Sequence, residues 1–453
     1  MTTFFFCGIG GSGMSALALF LKHRGHAVKG SDRAYDSRPD APVFNMLREN
    51  GIELCAQNGD GVDDGTDCVV VSSAVEESVP DVAKAKALGK PVKKRAELLA
   101  ETLNDSLTVA VGGTSGKTTV TGMTGHILRN AGVDPSVVNG GVMLNYETEN
   151  GLGNVLFGDS PFCVIEADES DGSIALYKPA VSIVTNISLD HKPLPELRPL
   201  FADFIRKASV GAVLNFDCKE TNALKALNAN VLTFSLNDDD ADLTAKNITP
   251  TQNGVSFELD GDTFDLIVPG RHNVANALAA IACADMLGVP RAASKAALAT
   301  FSGIKRRLQT VGEKKGVTVF DDFAHNPEKI AATLDTLKEK SGRLIVIYQP
   351  HGFGPTKLLR QGLIDAFVRK TDNEDIIVFP EIYYAGGTAV KDISSEDLAK
   401  ELERAGKRVH FIPDRKKIVK LVAALAKKGD RVVVMGARDD TLTAFARDIL
   451  TAL

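Results

Sequence analysis

This sequence predicts an α/β protein built from three successive units, and three observations predict it. Short apolar runs of strand length recur along the chain, followed by glycine turns and by apolar residues at helical spacing. The pattern restarts twice, after the polar stretch ETLNDS at 101–106 and after FSGIKRR at 301–307. A chain of 453 residues also exceeds what one hydrophobic core organises, so two or three domains are expected.

The elements follow in order. TFFFC at 3–7 is a buried strand, GIGGSG at 8–13 its glycine turn, and Met14 to Leu21 the apolar face of a helix. HAVKGSD (26–32) and DCVVVSSA (67–74) are further strands, and strand, helix, strand in this order gives a parallel sheet with right-handed crossovers. In the second unit TVAVGG (108–113) leads through a glycine loop into a helix, and FCVIEAD (162–168) and AVSIVTN (180–186) are strands. Residues 230–268 alternate and carry NG and DG turns, which predicts antiparallel hairpins attached to the central sheet. RHNVANALAAIACADMLG (271–288) is a helix. The third unit supplies the strands VTVFDDFA, RLIVIYQP, DIIVFPE and RVVVMGA. The expected domains are 1–105, 106–304 and 305–453.

Composition narrows the function classes. A net charge of −6 lacks the basic footprint of a nucleic-acid or membrane-surface binder, so neither partner is expected. Six scattered cysteines without a C-x-x-C pair read as reduced thiols. The opening MTTFFFCGIGG lacks a basic n-region, and no run reaches the roughly 18 apolar residues of a membrane span. The expected compartment is the cytoplasm, where ATP is available.

Two glycine loops carry the chemistry. In GGTSGKTT (112–119), between a strand and a helix, Gly113 and Gly116 permit a phosphate loop, Lys117 neutralises charge and Thr118 offers magnesium a hydroxyl. Val111 stands where the general pattern has its first glycine. Strand 162–166 would deliver the Glu166 carboxylate, a hard oxygen donor for magnesium, towards those phosphates, with Asp168 turned the other way. His191, after the strand ending in TNISLDHK, faces the same rim as Glu166. GIGGSG with Asp32 meets the G-x-G-x-x-G pattern and marks a diphosphate site. His272 and Asn276, one helical turn apart, can frame a purine, and Arg306 or Arg307 can clamp a phosphate. Asp322 and His325 sit at the end of a strand. A nicotinamide-dependent oxidoreductase would use GIGGSG and leave GGTSGKTT unexplained; a non-catalytic nucleotide-binding regulator would keep Lys117 without needing Glu166 and His191.

Taken together and in this order, GIGGSGMSALA, VVVSSA, KKRAELLAE, GGTSGKTT, EADESD, TNISLDH, GRHNVANA, KRRLQ, DDFAHNP, YQPH, PEIYYAGG and VMGA resemble the Mur ligases over essentially the whole chain. The resemblance implies a Rossmann-like UDP-sugar domain, a central P-loop ATPase domain and a Rossmann-like C-terminal domain for the amino acid. It implies a cytoplasmic, ATP- and magnesium-dependent ligase of peptidoglycan synthesis, monomeric or homodimeric. Such an enzyme joins the lactyl carboxylate of UDP-N-acetylmuramate to an amine through an acyl phosphate. That amine is L-alanine or a variant, or, in the recycling branch, a murein tripeptide.

Carried over by residue, the resemblance gives Lys117, Glu166, His191 and Arg307 catalytic roles and assigns Thr118, Glu166 and His191 to the metal. Gly113, Thr114, Ser115, Gly116, Lys117, Thr118, Thr119, His272, Asn276, Arg307 and Asp322 go to ATP. The UDP-sugar receives Gly10, Gly11, Ser12, Gly13, Met14, Asp32, Ser72 and Ser73, and the amine receives His325, Asn326, His351 and Lys357. The departures from the family pattern cluster around the amine. Asn326 replaces a histidine, Gly352 and Pro355 stand where arginines hold the amino-acid carboxylate, and Lys192 and Pro193 replace the acid that follows D-H.

Overall fold

In the computed structural model the described residues are 1–453 except 73–74, 104–105, 149–152, 171, 189–191, 252–253 and 385–389. The chain divides into two compact units, one holding nearly all of residues 1–304 and the other residues 305–453 with short pieces near 250–254 and 269–272.

The first unit contains two parallel sheets. Five strands run in the order Glu53–Cys55, Ala27–Ser31, Thr3–Cys7, Cys68–Val71, Val92–Lys94, all parallel. Thr3–Cys7 is buried along its length from Phe4 onward, because helices cover both faces of a parallel sheet, and this is why TFFFC shows no alternation. The eight-stranded sheet places Leu107–Gly112 centrally, between Val181–Val184 and Phe162–Glu166. Its edge strand Val155–Leu156 is antiparallel to Ser136–Val138.

The expectation for 230–268 needs correction. Val231–Ser235 and Leu243–Thr244 join the central sheet as parallel strands. Lys246–Pro250, Val255–Leu259 and Asp262–Leu266 form a sheet of their own. Only this second part is a hairpin, and its DG signal held. Asp260 and Gly261 have φ of +53° and +87°, a two-residue turn with both centres left-handed, closing the Leu259–Asp262 pair. The acidic run 238–240 hid the parallel strand before it, since alternation cannot reveal a partner distant in sequence.

The second unit is a six-stranded sheet in the order Gln309–Lys314, Val317–Asp322, Arg431–Gly436, Leu344–Gln349, Ile376–Phe379, Arg408–Phe411. The four expected strands are present; Gln309–Lys314, antiparallel to its neighbour, and Arg408–Phe411 were not anticipated. Helix Arg415–Leu425 precedes Arg431–Gly436, which inserts between Val317–Asp322 and Leu344–Gln349. The carboxyl ends of these three parallel strands therefore lie side by side, at the end of an open α/β sheet where ligands bind. No helix among the described residues is long and apolar enough to cross a membrane.

Candidate active site

The phosphate loop forms where strand Leu107–Gly112 hands over to helix Lys117–Asn130. Gly113 has φ +133°, and a Cβ there would lie 2.0 Å from Thr185 Oγ1. Gly116, the residue before the helix, is left-handed at φ +87°, and a Cβ would fall 2.7 Å from Asn276 Oδ1. Only glycine fits either place. The N–H groups of the helix's first turn have no intrahelical acceptor, so the loop presents donors to an anion.

The strand end TNIS proves to be the loop's brace. Thr185 Oγ1 donates to the Ser115 carbonyl at 2.6 Å. Asn186 Oδ1 accepts from Thr114 Oγ1 at 2.6 Å and from the Ser115 N–H at 2.9 Å. Ser188 lies 2.8 Å from Thr114 Oγ1. His191, two residues past this segment's Leu189, and Ser73 lie outside the described residues.

Lys117 turns back across the loop. Its Nζ donates to the Gly113 carbonyl at 2.7 Å and to Glu169 Oε2 at 2.7 Å, with Asp168 Oδ1 at 3.9 Å. Burial works against its charge, but Glu169, Asp168 and Glu166 more than offset that and hold the ammonium above the ordinary lysine range. Burial pushes the Glu169 carboxyl upward while Lys117, 2.7 Å away, opposes the shift. Glu169 was missed in the sequence. Asp168 does not turn away: the strand stops at Glu166, and residues two apart share a face in any case. Glu166 Oε1 accepts the Gly140 N–H at 2.6 Å. Thr118 is buried at the start of the helix.

On the first sheet the glycine turn is folded back by backbone bonds from Gly8 and Ile9 to the Ser31 carbonyl, 2.8 and 2.9 Å. Asp32 accepts from the Gly10 N–H at 2.9 Å and from Ala34 N–H at 2.7 Å, so it shapes the turn and caps the helix Arg33–Ser37. Gly11 and Ser12 are exposed at the turn, and Ser72 follows Cys68–Val71 directly. Met14 was expected at the ligand, but its side chain is in the core at 3% exposure, which leaves the site only its backbone. Arg95 was not foreseen: its Nε lies 3.3 Å from where a Cβ on Gly13 would stand, a cation beside the glycine turn.

Asn276 is buried, with its Oδ1 against Gly116 and its Nδ2 donating to Asn273 at 3.1 Å. It therefore belongs beside the phosphate loop. His272, one turn earlier on the same helix, is exposed and is 3.4 Å from Thr336 Oγ1.

The second unit gives the two arginines different surroundings. Arg306 is 9% exposed, φ +58°, with Nε 3.4 Å from Asp321 Oδ1 and its NH2 donating to the Gly436 carbonyl at 2.8 Å, which makes it structural. Arg307, only half-buried, lies with its guanidinium 4.7 Å from the Phe323 ring centroid. Asp322 is buried and accepts from the Thr333 hydroxyl and the Leu308 N–H. Burial raises its carboxyl, and Thr333 and Arg307 act against the shift.

His325 Nδ1 is 2.8 Å from the Phe323 carbonyl. A carbonyl only accepts, so Nδ1 carries the proton and Nε2 is left as an acceptor. Burial, with Lys329, His351 and Arg307 nearby, pushes this imidazole down to about 3, so it is neutral at pH 7. Its ring meets His351 edge-on at 5.5 Å. Two other amine-site residues are otherwise employed. The Asn326 side chain accepts from Lys329 N–H at 2.9 Å and caps helix Pro327–Lys338. Lys357 is exposed and ion-paired with Asp392. Gly352 has φ +68° at the entry to helix Phe353–Lys370, so its glycine is a backbone requirement. At the carboxyl ends of these strands Arg415 donates to Gln349 and pairs with Asp439, a group that no local pattern announced.

Three family models match the chain in order: the Mur ligase family catalytic domain at 3–106, the Mur ligase middle domain at 111–284 and the Mur ligase glutamate ligase domain at 306–438. A UDP-N-acetylmuramate–L-alanine ligase from Agrobacterium fabrum is 36% identical over 97% of this chain and 95% of its own length. The chain belongs to the Mur ligase family. This Mur ligase is an ATP-dependent ligase enzyme with the family's three-domain α/β architecture. It is 36% identical to the enzyme of the same name from Caldicellulosiruptor saccharolyticus, over 97% of the chain and 96% of the relative. Its fold matches the UDP-N-acetylmuramate–alanine ligase of Thermotoga maritima with TM-score 0.81 and 26% identity, over 100% of this chain and 99% of that one. A murein peptide ligase from Psychrobacter arcticus matches at TM-score 0.71 and 25% identity, over 100% and 98%.

Proposed function

We propose that this Mur ligase joins the lactyl carboxylate of UDP-N-acetylmuramate to the amino group of L-alanine, with ATP converted to ADP and phosphate. The observation that carries the reading is Lys117, half-buried and charged at a phosphate loop, in a chain 36% identical over nearly its whole length to alanine-adding ligases. Domains at 1–105, 106–304 and 305–453 are part of the proposal, as is a cytoplasmic setting.

The residues divide the work. The turn Gly10–Gly13, shaped by Asp32, takes the UDP diphosphate with Ser72 and Arg95. Gly113 to Thr119 and Asn276 take the triphosphate, and the family's motif order assigns His272, Arg307 and Asp322 to ATP as well. The donor set fits magnesium: Thr118 hydroxyl and Glu166 carboxylate are hard oxygens, with His191 completing the assignment. Bound there, the ion would neutralise charge between the transferring oxygens.

The lactyl carboxylate oxygen attacks the γ-phosphorus and ADP leaves, giving an acyl phosphate. The amine nitrogen then attacks the acyl carbon, the tetrahedral intermediate expels phosphate, and nitrogen loses a proton. No covalent enzyme nucleophile is needed, since phosphoryl transfer depends on positioning and charge. The neutral His325 accepts an N–H of the amine through Nε2, and His351 flanks it. Phosphate release from ATP with UDP-N-acetylmuramate, offered L-alanine, L-serine, glycine or murein tripeptide in turn, tests the reading. Turnover on L-alanine supports it; turnover on the tripeptide alone would replace the amine.

A further inference from the structure

A hydrogen-bonded path runs from the first glycine turn to the phosphate loop through two buried asparagines that the reaction chemistry leaves unused. Strands Ser136–Val138 and Val155–Leu156 pair with Val138 opposite Val155, so Asn139 and Asn154 face each other just beyond the ladder. The Asn139 N–H donates to the Asn154 carbonyl at 2.8 Å. Asn154 Nδ2 donates at 3.1 Å to the carbonyl of Ser12, in the glycine turn of the first sheet. Asn139 Nδ2 donates at 3.1 Å to the carbonyl of Thr118, on the phosphate-loop helix. Asn139 Oδ1 accepts the Gly140 N–H at 3.0 Å, the same N–H that reaches Glu166 at 2.6 Å.

Exposures of 2% and 7% make these amides costly unless each polar atom is matched. The matching partners sit on two different ligand loops, and one peptide hydrogen bond joins the two asparagines. We propose that Asn139 and Asn154 are positioning residues that lock the sugar-nucleotide turn to the phosphate loop, so that filling either site raises the affinity of the other. Ordering the Ser12 carbonyl orders Asn154, hence Asn139, hence Gly140 and Thr118, and the coupling is reciprocal. This rests on the reading that the two loops hold UDP-N-acetylmuramate and ATP.

The test measures the dissociation constant of UDP-N-acetylmuramate for the full chain, with and without a non-hydrolysable ATP analogue and magnesium. The wild-type ratio is expected to be about fivefold or more, within the usual range for coupled sites. Asn154→Ala should bring the ratio to about 1 while each ligand alone binds nearly as in wild type. Asn154→Leu keeps the size and removes the donor without adding a charge, so it decides if the alanine variant folds poorly. A wild-type ratio near 1, or a wild-type ratio retained in the variants whatever their melting temperature, overturns the proposal. A wild type that binds neither ligand refutes the functional reading instead.

Discussion

Lys117 sits where three carboxylates converge, and it supplies the positive charge of the phosphate loop GGTSGKTT. Lys117→Ala should lower phosphate release by more than about a hundredfold, in the range seen when one transition-state donor is lost. Binding of UDP-N-acetylmuramate should change little, because its turn is on another sheet; retention of a tenth of the turnover would remove Lys117 from the chemistry. Gly113 bears on the same loop through its backbone. A Cβ 2.0 Å from Thr185 Oγ1 displaces the hydroxyl that braces Ser115, and a side chain at φ +133° adds about 1–3 kcal/mol of strain. Gly113→Ala should abolish ATP binding by calorimetry while the UDP-sugar still binds; normal ATP affinity would show that the loop tolerates the shift. Lys117 and Thr118 were legible because a phosphate loop is a local pattern. Glu169 was not: it is one of several acids in EADESD, and only folding selects it across 52 positions.

Helix Pro327–Lys338 shows how an element answers a question left by the sequence. Asn326 stands where the family has a histidine, and the structure uses it as an N-cap ahead of a proline. Asn326→Ala should cost about 1 kcal/mol of stability in urea unfolding and leave the Michaelis constant for L-alanine unchanged. A large rise in that constant would return Asn326 to the amine site. The phosphate-loop helix carries a pH-sensitive pin. His126 is buried between Tyr146 hydroxyl at 2.7 Å and Thr300 Oγ1 at 3.0 Å, and burial holds its imidazole below the usual histidine value. The unfolded chain then binds the proton more strongly, so this contribution is present above about pH 6.5 and declines as the pH falls below it. Between pH 7.5 and 5 the melting temperature of the wild type should drop more than that of His126→Gln. Equal slopes would mean that His126 does not titrate on unfolding.

At the scale of the whole molecule, three α/β units and both glycine loops could be read from strand-length apolar runs and the turns that follow them. The order of strands within each sheet could not. Arg431–Gly436 inserts between strands that precede it by more than eighty residues, and periodicity carries no information about partners so distant. The Arg415, Gln349 and Asp439 group depends on that insertion and was invisible for the same reason. One chain couples ATP cleavage to amide formation on UDP-N-acetylmuramate. The most direct measurement is mass spectrometry of the nucleotide-sugar after incubation of the full chain with ATP, magnesium, UDP-N-acetylmuramate and L-alanine, with ADP quantified alongside. One alanyl-amide product per ADP is expected, and neither in the absence of the sugar nucleotide. ADP formation that is indifferent to UDP-N-acetylmuramate, with no amide product on any amine offered, would contradict it.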